Sequence, residues 1–166
     1  MKYSSHRPHL RGFTLIEVLI AMAIIAILAA MSFSGYGYVK RNQANQKAKI
    51  QIELLSKALE EYKLDNGVFP PSANADGSGN TNAIYLALYA SAATTTPMGK
   101  IYLPELDPAT NKQGWTKTAG MISDPWGEEY FYRRGDVAAA TNPDFDLWSS
   151  GADKDTTTVG DNISNF

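Results

Sequence analysis

One carboxylate interrupts a run that is otherwise without charge. Glu17 follows closely on Gly12-Phe13, and from Val18 to Met31 every residue is apolar. A bare carboxylate in hydrocarbon costs several kcal/mol or takes up a proton. Glu17 therefore calls for a partner, and the run holds no other charged group. The residues before it point to one. Lys2, Arg7 and Arg11, with His6 and His9, make a basic leader that ends at Gly12. Hydrolysis between Gly12 and Phe13 would turn the Phe13 nitrogen into a cation within one helical turn of Glu17. A second group lies at the other end of the chain. Asp153, Asp155 and Asp161 share a loop with Ser149, Ser150 and three threonines, and Lys154 is its one basic residue. Like charges this close repel. A solvated loop tolerates that, and a hard cation bound by six to eight oxygens would remove it. The spacing is not that of a helix-loop-helix calcium site. Thr157 and Ser164 stand where ligands are usual, and the central Gly is missing. On the residues alone both readings stand.

What is missing matters as much. There is no Cys, and both His residues lie in the leader. A chain cut after Gly12 has neither thiol nor imidazole, so Ser-His, Cys-His and His-metal arrangements are gone. The expectation is a protein that is not an enzyme. The formal net charge of −2 becomes −5 without Lys2, Arg7 and Arg11. No basic face is in view, so no nucleic-acid partner is expected. A chain of 166 residues supports one modest domain plus an anchor.

The elements that position these groups follow in order. Residues 13–39 predict a helix whose apolar part is long enough to span a bilayer. The basic leader puts its N-terminus on the cytoplasmic side. An ordinary secretory signal would end at a small-residue cleavage site, whereas here the helical pattern continues. Gly35 and Gly37 weaken the helix locally and could form a soft point there. Over 40–64 the pattern is amphipathic. Ala44, Ala48, Ile52, Leu55, Ala58, Leu59 and Tyr62 recur at spacings of three and four. Glu53 and Lys57 form an i,i+4 pair. Gly67 is the expected left-handed cap, and Pro70-Pro71 prevents resumption. A helix over 13–64 would be roughly 75–80 Å long.

Three regions carry a family resemblance. Arg11-Gly12-Phe13-Thr14-Leu15-Ile16-Glu17 resembles the class III signal of type IV pilins and type II secretion pseudopilins. Tyr62-Lys63-Leu64-Asp65-Asn66-Gly67, followed by an aromatic and a Pro, is similar to the end of the long helix in major pseudopilins. Asp124-Pro125-Trp126-Gly127 with the later Phe145-Asp146-Leu147-Trp148-Ser149 and Gly151-Ala152-Asp153 resembles the same group. The resemblance implies an α+β, type IV pilin-like fold: a long N-terminal helix, half transmembrane and half amphipathic, on a small antiparallel sheet. It implies cleavage at Gly12-Phe13 by a prepilin peptidase, methylation of the Phe13 amine, and assembly through Phe13 and Glu17. It also implies calcium in the C-terminal loop. Asp153 and Asp161 would bridge the ion, and the Leu147 carbonyl, Ser150 and Asp155 would complete the shell. The Gly-Gly pair frequent in that loop is absent here, and the chain ends Asn165-Phe166 rather than Asn-Trp.

The middle of the chain resembles the family least. Residues 72–82 read as a flexible Ser/Gly/Asn loop, and Ala83–Ala93 as a short helix stopped at Thr94–Pro97. Lys100–Pro104 reads as an extended piece, and 107–120 as turns around Trp115. The whole of 72–122 reads as a variable insertion. Residues 123–166 hold the sheet and the C-terminal loop. Asp124-Pro125-Trp126-Gly127 is a turn by residue type. Glu129–Arg133 and Phe145–Ser149 alternate and predict an antiparallel pair. Arg134-Gly135-Asp136 spells a receptor-binding tripeptide, but ordinary turn chemistry explains it. Asn162-Ile163-Ser164 fits a glycosylation sequon, here read as tail. Trp115, Trp126 and Trp148 could form a sugar platform, but buried aromatics are the commoner use.

The function implied is that of a subunit of a type II secretion pseudopilus. It would polymerise with copies of itself and with minor pseudopilins. A prepilin peptidase, an inner-membrane assembly platform and a cytoplasmic ATPase would serve it. Before assembly it would sit in membrane lipid as a single-pass protein of the inner membrane, its domain periplasmic. The alternatives are a type IV pilin, a tip-located minor pseudopilin, and a membrane-tethered binding module using Ala83–Gly120.

Overall fold

A computed structural model describes residues 12–72, 74–89, 99–116, 120–157 and 160–166. The basic residues of the leader and the Thr94–Pro97 stop lie outside the described residues. The chain divides into two compact units, Met1–Lys40 and Arg41–Phe166.

One helix, α1, runs from Leu15 to Asn66. It continues through Gly35 and Gly37 without a break. It ends as its residues dictate. Gly67 takes φ +79° and donates its N–H to the Lys63 carbonyl at 2.7 Å. In the first unit the described side chains of α1 are exposed and mostly apolar, Ile16, Leu19, Ile24 and Leu28 among them, with Glu17 and Lys40 the charged ones. In the second unit one stripe is buried: Ala48, Ile52, Leu55, Ala58 and Leu59. Ala44 and Tyr62, at its two ends, are half-buried. Gln51 lies on the same stripe and is buried with it. Its amide is satisfied from both sides, by the Tyr130 hydroxyl (2.8 Å) and the Gln113 carbonyl (3.2 Å). A buried amide left unpaired would cost about 1–3 kcal/mol.

The stripe packs on a three-stranded antiparallel sheet, β1 (Phe131–Arg134), β2 (Phe145–Ser149) and β3 (Ile163–Ser164), in that order. Tyr132 faces Leu147, and Phe131 faces Trp148. The alternation works as its period of two demands. Tyr130 and Tyr132 point into the core, while Phe131 stacks on Trp148 on the other face, ring centroids 5.2 Å apart. β3 is too short to show in the sequence pattern. Every residue of β2 is buried, because the second face is covered too. Asp146, expected on the outer face, accepts Arg133 Nε at 2.7 Å and the N–H groups of Thr141 and Asn142, both at 2.8 Å. It thereby pins the β1–β2 loop.

The middle segment is tied down more than its composition suggests. Residues 74–80 lie along the edge of β1, where Tyr132 donates its N–H to the Gly77 carbonyl at 3.0 Å. Asn80 is fully buried and donates to the carbonyls of Tyr132 (2.7 Å) and Asn74 (2.8 Å). A Cβ on Gly77 would meet the Trp148 ring at 2.3 Å. The expected flexible loop over 72–82 is thus corrected: it is an anchored cover, and its last two residues begin α2 (Thr81–Leu88). Lys100–Pro104 forms no strand. Tyr102 and Leu103 both donate to the Leu88 carbonyl, and a short 3₁₀ turn, Pro104–Leu106, follows. Trp115 is fully buried, its indole N–H on the Glu105 carbonyl at 2.9 Å. Trp115 is therefore a core residue, Trp126 packs against that core, and Trp148 is buried on the outer face of the sheet, stacked on Phe131.

The Asp124-Pro125-Trp126-Gly127 turn is locked by its own carboxylate. Asp124 Oδ1 accepts the N–H groups of Trp126 (3.0 Å) and Glu128 (2.9 Å), and Oδ2 accepts the Ser149 hydroxyl at 2.6 Å. Burial raises the Asp124 pKa, outweighing those hydrogen bonds, of which Ser149's is the largest. The group therefore binds its proton more tightly folded than unfolded. Its contribution to stability is complete at acid pH and falls as pH rises from the ordinary carboxylate value to the raised one. Asp124→Asn keeps an acceptor for the turn and should remove that part of the pH dependence, as urea melts between pH 3 and 7 would read. Asp124→Ala should cost roughly 2–3 kcal/mol.

Candidate functional site

The helix start is built from Thr14 and Glu17. Thr14 precedes α1, and its Oγ1 accepts the Glu17 N–H at 3.3 Å. The Glu17 carboxylate reaches back and accepts both the Thr14 N–H and the Thr14 hydroxyl through Oε2, each at 2.8 Å. This is a capping box, which satisfies backbone donors that a helix start leaves open. The Thr-x-x-Glu spacing of Thr14 and Glu17 is itself the sequence signal of such a box. Two neutral donors hold the carboxylate without neutralising it. Phe13 stands 87% exposed, and a Cβ added at Gly12 would meet nothing within 4 Å. Neither close packing nor a left-handed backbone asks for glycine at position 12. Among the described residues no helix is long and apolar enough to cross a membrane. The described apolar stretch, residues 15–31, is about 25 Å long at 1.5 Å per residue, short of the roughly 30 Å hydrocarbon core. In the sequence the apolar run begins earlier, at Phe13, and Ser32 and Phe33 follow it.

The C-terminal loop closes at a narrow neck. Gly151 takes φ +75°, and a Cβ there would lie 2.4 Å from the Asp161 carbonyl oxygen, so only glycine fits. Asp161 Oδ2 accepts the N–H groups of Ala152 (3.0 Å) and Asp153 (3.1 Å). Asp153 Oδ1 accepts the Asp155 N–H at 2.9 Å. Asp155 Oδ1 accepts the Thr157 N–H and hydroxyl, at 2.8 and 2.7 Å. Ser150 is buried at the neck, and the Leu147 carbonyl accepts the Asn165 N–H at 3.1 Å. Two cations border the loop: Lys154 Nζ lies 2.6 Å from Glu128, and Arg41 lies 3.8 Å from Asp161. Among the described residues no three acidic side chains converge, so Asp153, Asp155 and Asp161 do not meet as a trio. The residue types that flank the neck are carboxylate and hydroxyl: Asp161 on one side, Ser150 and Asp153 on the other. That chemistry suits calcium, which accepts carbonyl and hydroxyl oxygens beside carboxylates.

Two further motifs are accounted for by the fold. Arg134 pairs with Asp136 through Nε at 2.8 Å and through Nη2, and Nη1 reaches the Phe69 carbonyl. The Arg and Asp of the tripeptide thus satisfy each other. Asn162 is half-buried, and its Oδ1 is closed off from solvent.

Comparison with known proteins covers both ends of the chain. The prokaryotic N-terminal methylation motif matches residues 7–33, and the family model for type II secretion system protein G matches residues 85–165. The type II secretion system core protein G of Escherichia coli (strain K12) is 31% identical, covering 94% of this chain and 90% of its own. That of Pseudomonas aeruginosa is 32% identical over 86% and 83%. The type IV major pilin protein PilE of Neisseria gonorrhoeae is 36% identical over 45% and 44%.

Proposed function

The chain belongs to the family of type II secretion system protein G, and on that premise we propose how it works. It is a structural subunit of the type II secretion pseudopilus, with an α+β, pilin-like fold. It polymerises through α1 to drive protein export across the outer membrane. The family is structural, and this role asks no catalysis of the chain. Before assembly the subunit is held in the inner membrane by a single pass of α1, its Arg41–Phe166 unit in the periplasm. It leaves the bilayer to join copies of itself and minor pseudopilins, driven by a platform protein and a cytoplasmic ATPase. A second reading, a surface pilus subunit, has the match to the gonococcal pilin in its favour, over less than half of the chain.

The observation that carries the reading is the helix start. Gly12 has no packing role, Phe13 is exposed, and Glu17 is held one turn away by neutral donors only within reach of its own cap. Water added across the Gly12–Phe13 peptide bond leaves an ammonium on Phe13, which methylation keeps as a cation. In the filament that cation faces Glu17 of the next subunit to enter. Intact-mass analysis of protein extracted from membranes should give a chain that begins at Phe13 and carries one methyl group. Gly12→Val should leave the fold unchanged, since nothing surrounds that position, and should leave the leader attached. A mature chain beginning after Ala29 or Ala30 would mean an ordinary secretory signal instead.

The same reading includes a structural calcium ion at the neck of the C-terminal loop. The Asp153 and Asp161 carboxylates would hold it, with oxygens of Leu147 and Ser150. The ion would supply a tie between the end of β2 and the tail, in a chain with no disulfide.

A further inference from the structure

β3 is the last strand of the sheet, and among the described residues no further strand pairs with its outer side. The ladder fixes which groups lie there. Asn165 donates its N–H to the Leu147 carbonyl at 3.1 Å, and Ser164 is registered with Trp148. In an antiparallel ladder this makes Ser164–Trp148 the pair that exchanges no hydrogen bonds with each other. The N–H and C=O of Ser164 therefore point away from β2, toward the open side. Open strand edges are templates for another extended chain.

A groove lies on each side of this edge. On the helix side, one of about 510 Å³ runs between Ile163 and a face of α1 made by Lys49, Ile52, Glu53 and Ser56. On the outer face, one of about 490 Å³ is lined by Asp76, Arg133, Trp148 and Phe166. Asn162 and Ser164 border both. The first groove also holds two polar atoms that are shut off from water and unpaired, Ser56 Oγ and Asn162 Oδ1. Buried polar atoms without partners are rare.

We propose that the β3 edge is a docking site for an extended segment of another protein, which adds to the sheet as a fourth strand beside Ser164. The main-chain groups of Ser164 ask for main-chain partners, which a helix or a lipid does not present. Side chains of a strand alternate between faces, so neighbouring residues of the segment enter opposite grooves. Strand addition works this way generally: main-chain bonds give affinity and alternate pockets give specificity. On the helix side, Ile52 and Ile163 suit an aliphatic stem, and Asn162 Oδ1 with Ser56 Oγ suit an amide or hydroxyl at its tip. On the outer side, Trp148 and Phe166 suit an aromatic ring. Each groove carries one cation and one carboxylate, so an uncharged segment matches both. A second copy does not supply it. Outside its helices and sheet, its described aliphatic–aromatic neighbours are Val68–Phe69 and Ile101–Tyr102–Leu103, and these are engaged, with Phe69 and Leu103 buried and the Tyr102 and Leu103 N–H groups on the Leu88 carbonyl. The inference does not rest on the filament role.

The test uses the full-length protein in detergent micelles, with the Ser164 amide followed by NMR and hydrogen exchange. The ligand is the capped peptide Thr-Ser-Gln-Phe-Ser-Thr, and its control is the same peptide N-methylated at both central amides. The peptide should shift and protect the Ser164 amide. The methylated control should bind roughly tenfold more weakly, having lost main-chain hydrogen bonds. Ser164→Pro removes the outward N–H, which an edge strand tolerates, and should weaken the unmethylated peptide similarly, read at the Asn165 amide; Ser164→Ala, which loses only the hydroxyl's bond to the Phe166 carbonyl, should not. Equal binding of both peptides, or unchanged binding to Ser164→Pro, would mean adsorption into the grooves and would overturn the proposal. So would no binding at millimolar peptide, or protection of Ser164 by raised protein concentration alone, which would make a second copy the occupant.

Discussion

Glu17→Ala is expected to give a subunit that folds, inserts and is processed, yet builds no filaments. The substitution removes the carboxylate that caps α1 through Thr14. Losing a cap costs about 1 kcal/mol, little against a helix of 52 residues whose second half is fixed by its buried stripe. Assembly should respond far more strongly. In the filament core the Phe13 ammonium would be left unpaired in a medium that solvates it poorly. Breaking one side of a desolvated ion pair costs about 3–5 kcal/mol, or roughly two to three and a half orders of magnitude in assembly. Glu17→Gln separates the observed cap from the proposed pairing with the amine. Gln keeps an oxygen for the Thr14 donors but no charge for the amine, so it should restore the helix start and leave assembly blocked. Counting sheared fibres by immunoblot and electron microscopy reads both variants. Normal fibres from Glu17→Gln would mean that capping is the whole role of the residue.

The second large effect concerns the C-terminal loop. Apolar side chains are sparse from Gly151 onward, and ordering each residue's backbone costs about 1–2 kcal/mol. The staple from Asp161 to the N–H groups of Ala152 and Asp153 offsets part of this. An ion bound only by the folded form adds stability by mass action, about 2.7 kcal/mol at a hundred times its dissociation constant. For a chain of this size that raises the melting temperature by roughly 5–10 °C over chelator. Asp161→Ala should melt lower even in chelator, since the staple is gone, and should show no calcium response. Asp153→Ala should lose the response with less damage to the apo form, because Asp161 still holds the neck. Magnesium should substitute poorly, as it keeps its waters and demands a tighter octahedron. Equal melting in calcium and chelator would leave a solvated acidic loop closed by hydrogen bonds.

What the sequence made legible was local. The buried stripe of α1, its Gly67 cap, the turn at Asp124 and the alternation of Tyr130 and Tyr132 each depend on spacing within a few residues. What stayed hidden depends on distant partners. Asp146 alternates outward with Phe145 and Leu147 inward, and reads as solvated until Arg133 and the turn at Thr141–Asn142 fold over it. Asn80 sits among Ser, Gly and Thr and reads as loop, yet its amide closes the edge of β1. β3 has two residues and no pattern of its own. It exists because β2 offers a free edge, and the Asn165 side chain ties the tail there, accepting the Leu147 N–H at 2.7 Å. At the candidate site Gly12, Phe13 and Glu17 were legible as a motif, and the Thr14 cap beside them was missed. In the acidic loop the residue types were legible. The closeness of Gly151 to Asp161 was not, because a backbone contact leaves no trace in side-chain spacing.

The central claim, that this chain serves export and not surface attachment, is tested most directly by where exported proteins go without it. The measurement is the ratio of extracellular to periplasmic protein in a strain lacking this chain, complemented with wild type or with Glu17→Gln. The account predicts that cargo accumulates in the periplasm, that wild type restores its release, and that Glu17→Gln does not. Normal release in the deletion strain, with loss only of surface fibres, would contradict it and make the chain a pilin of the attachment type.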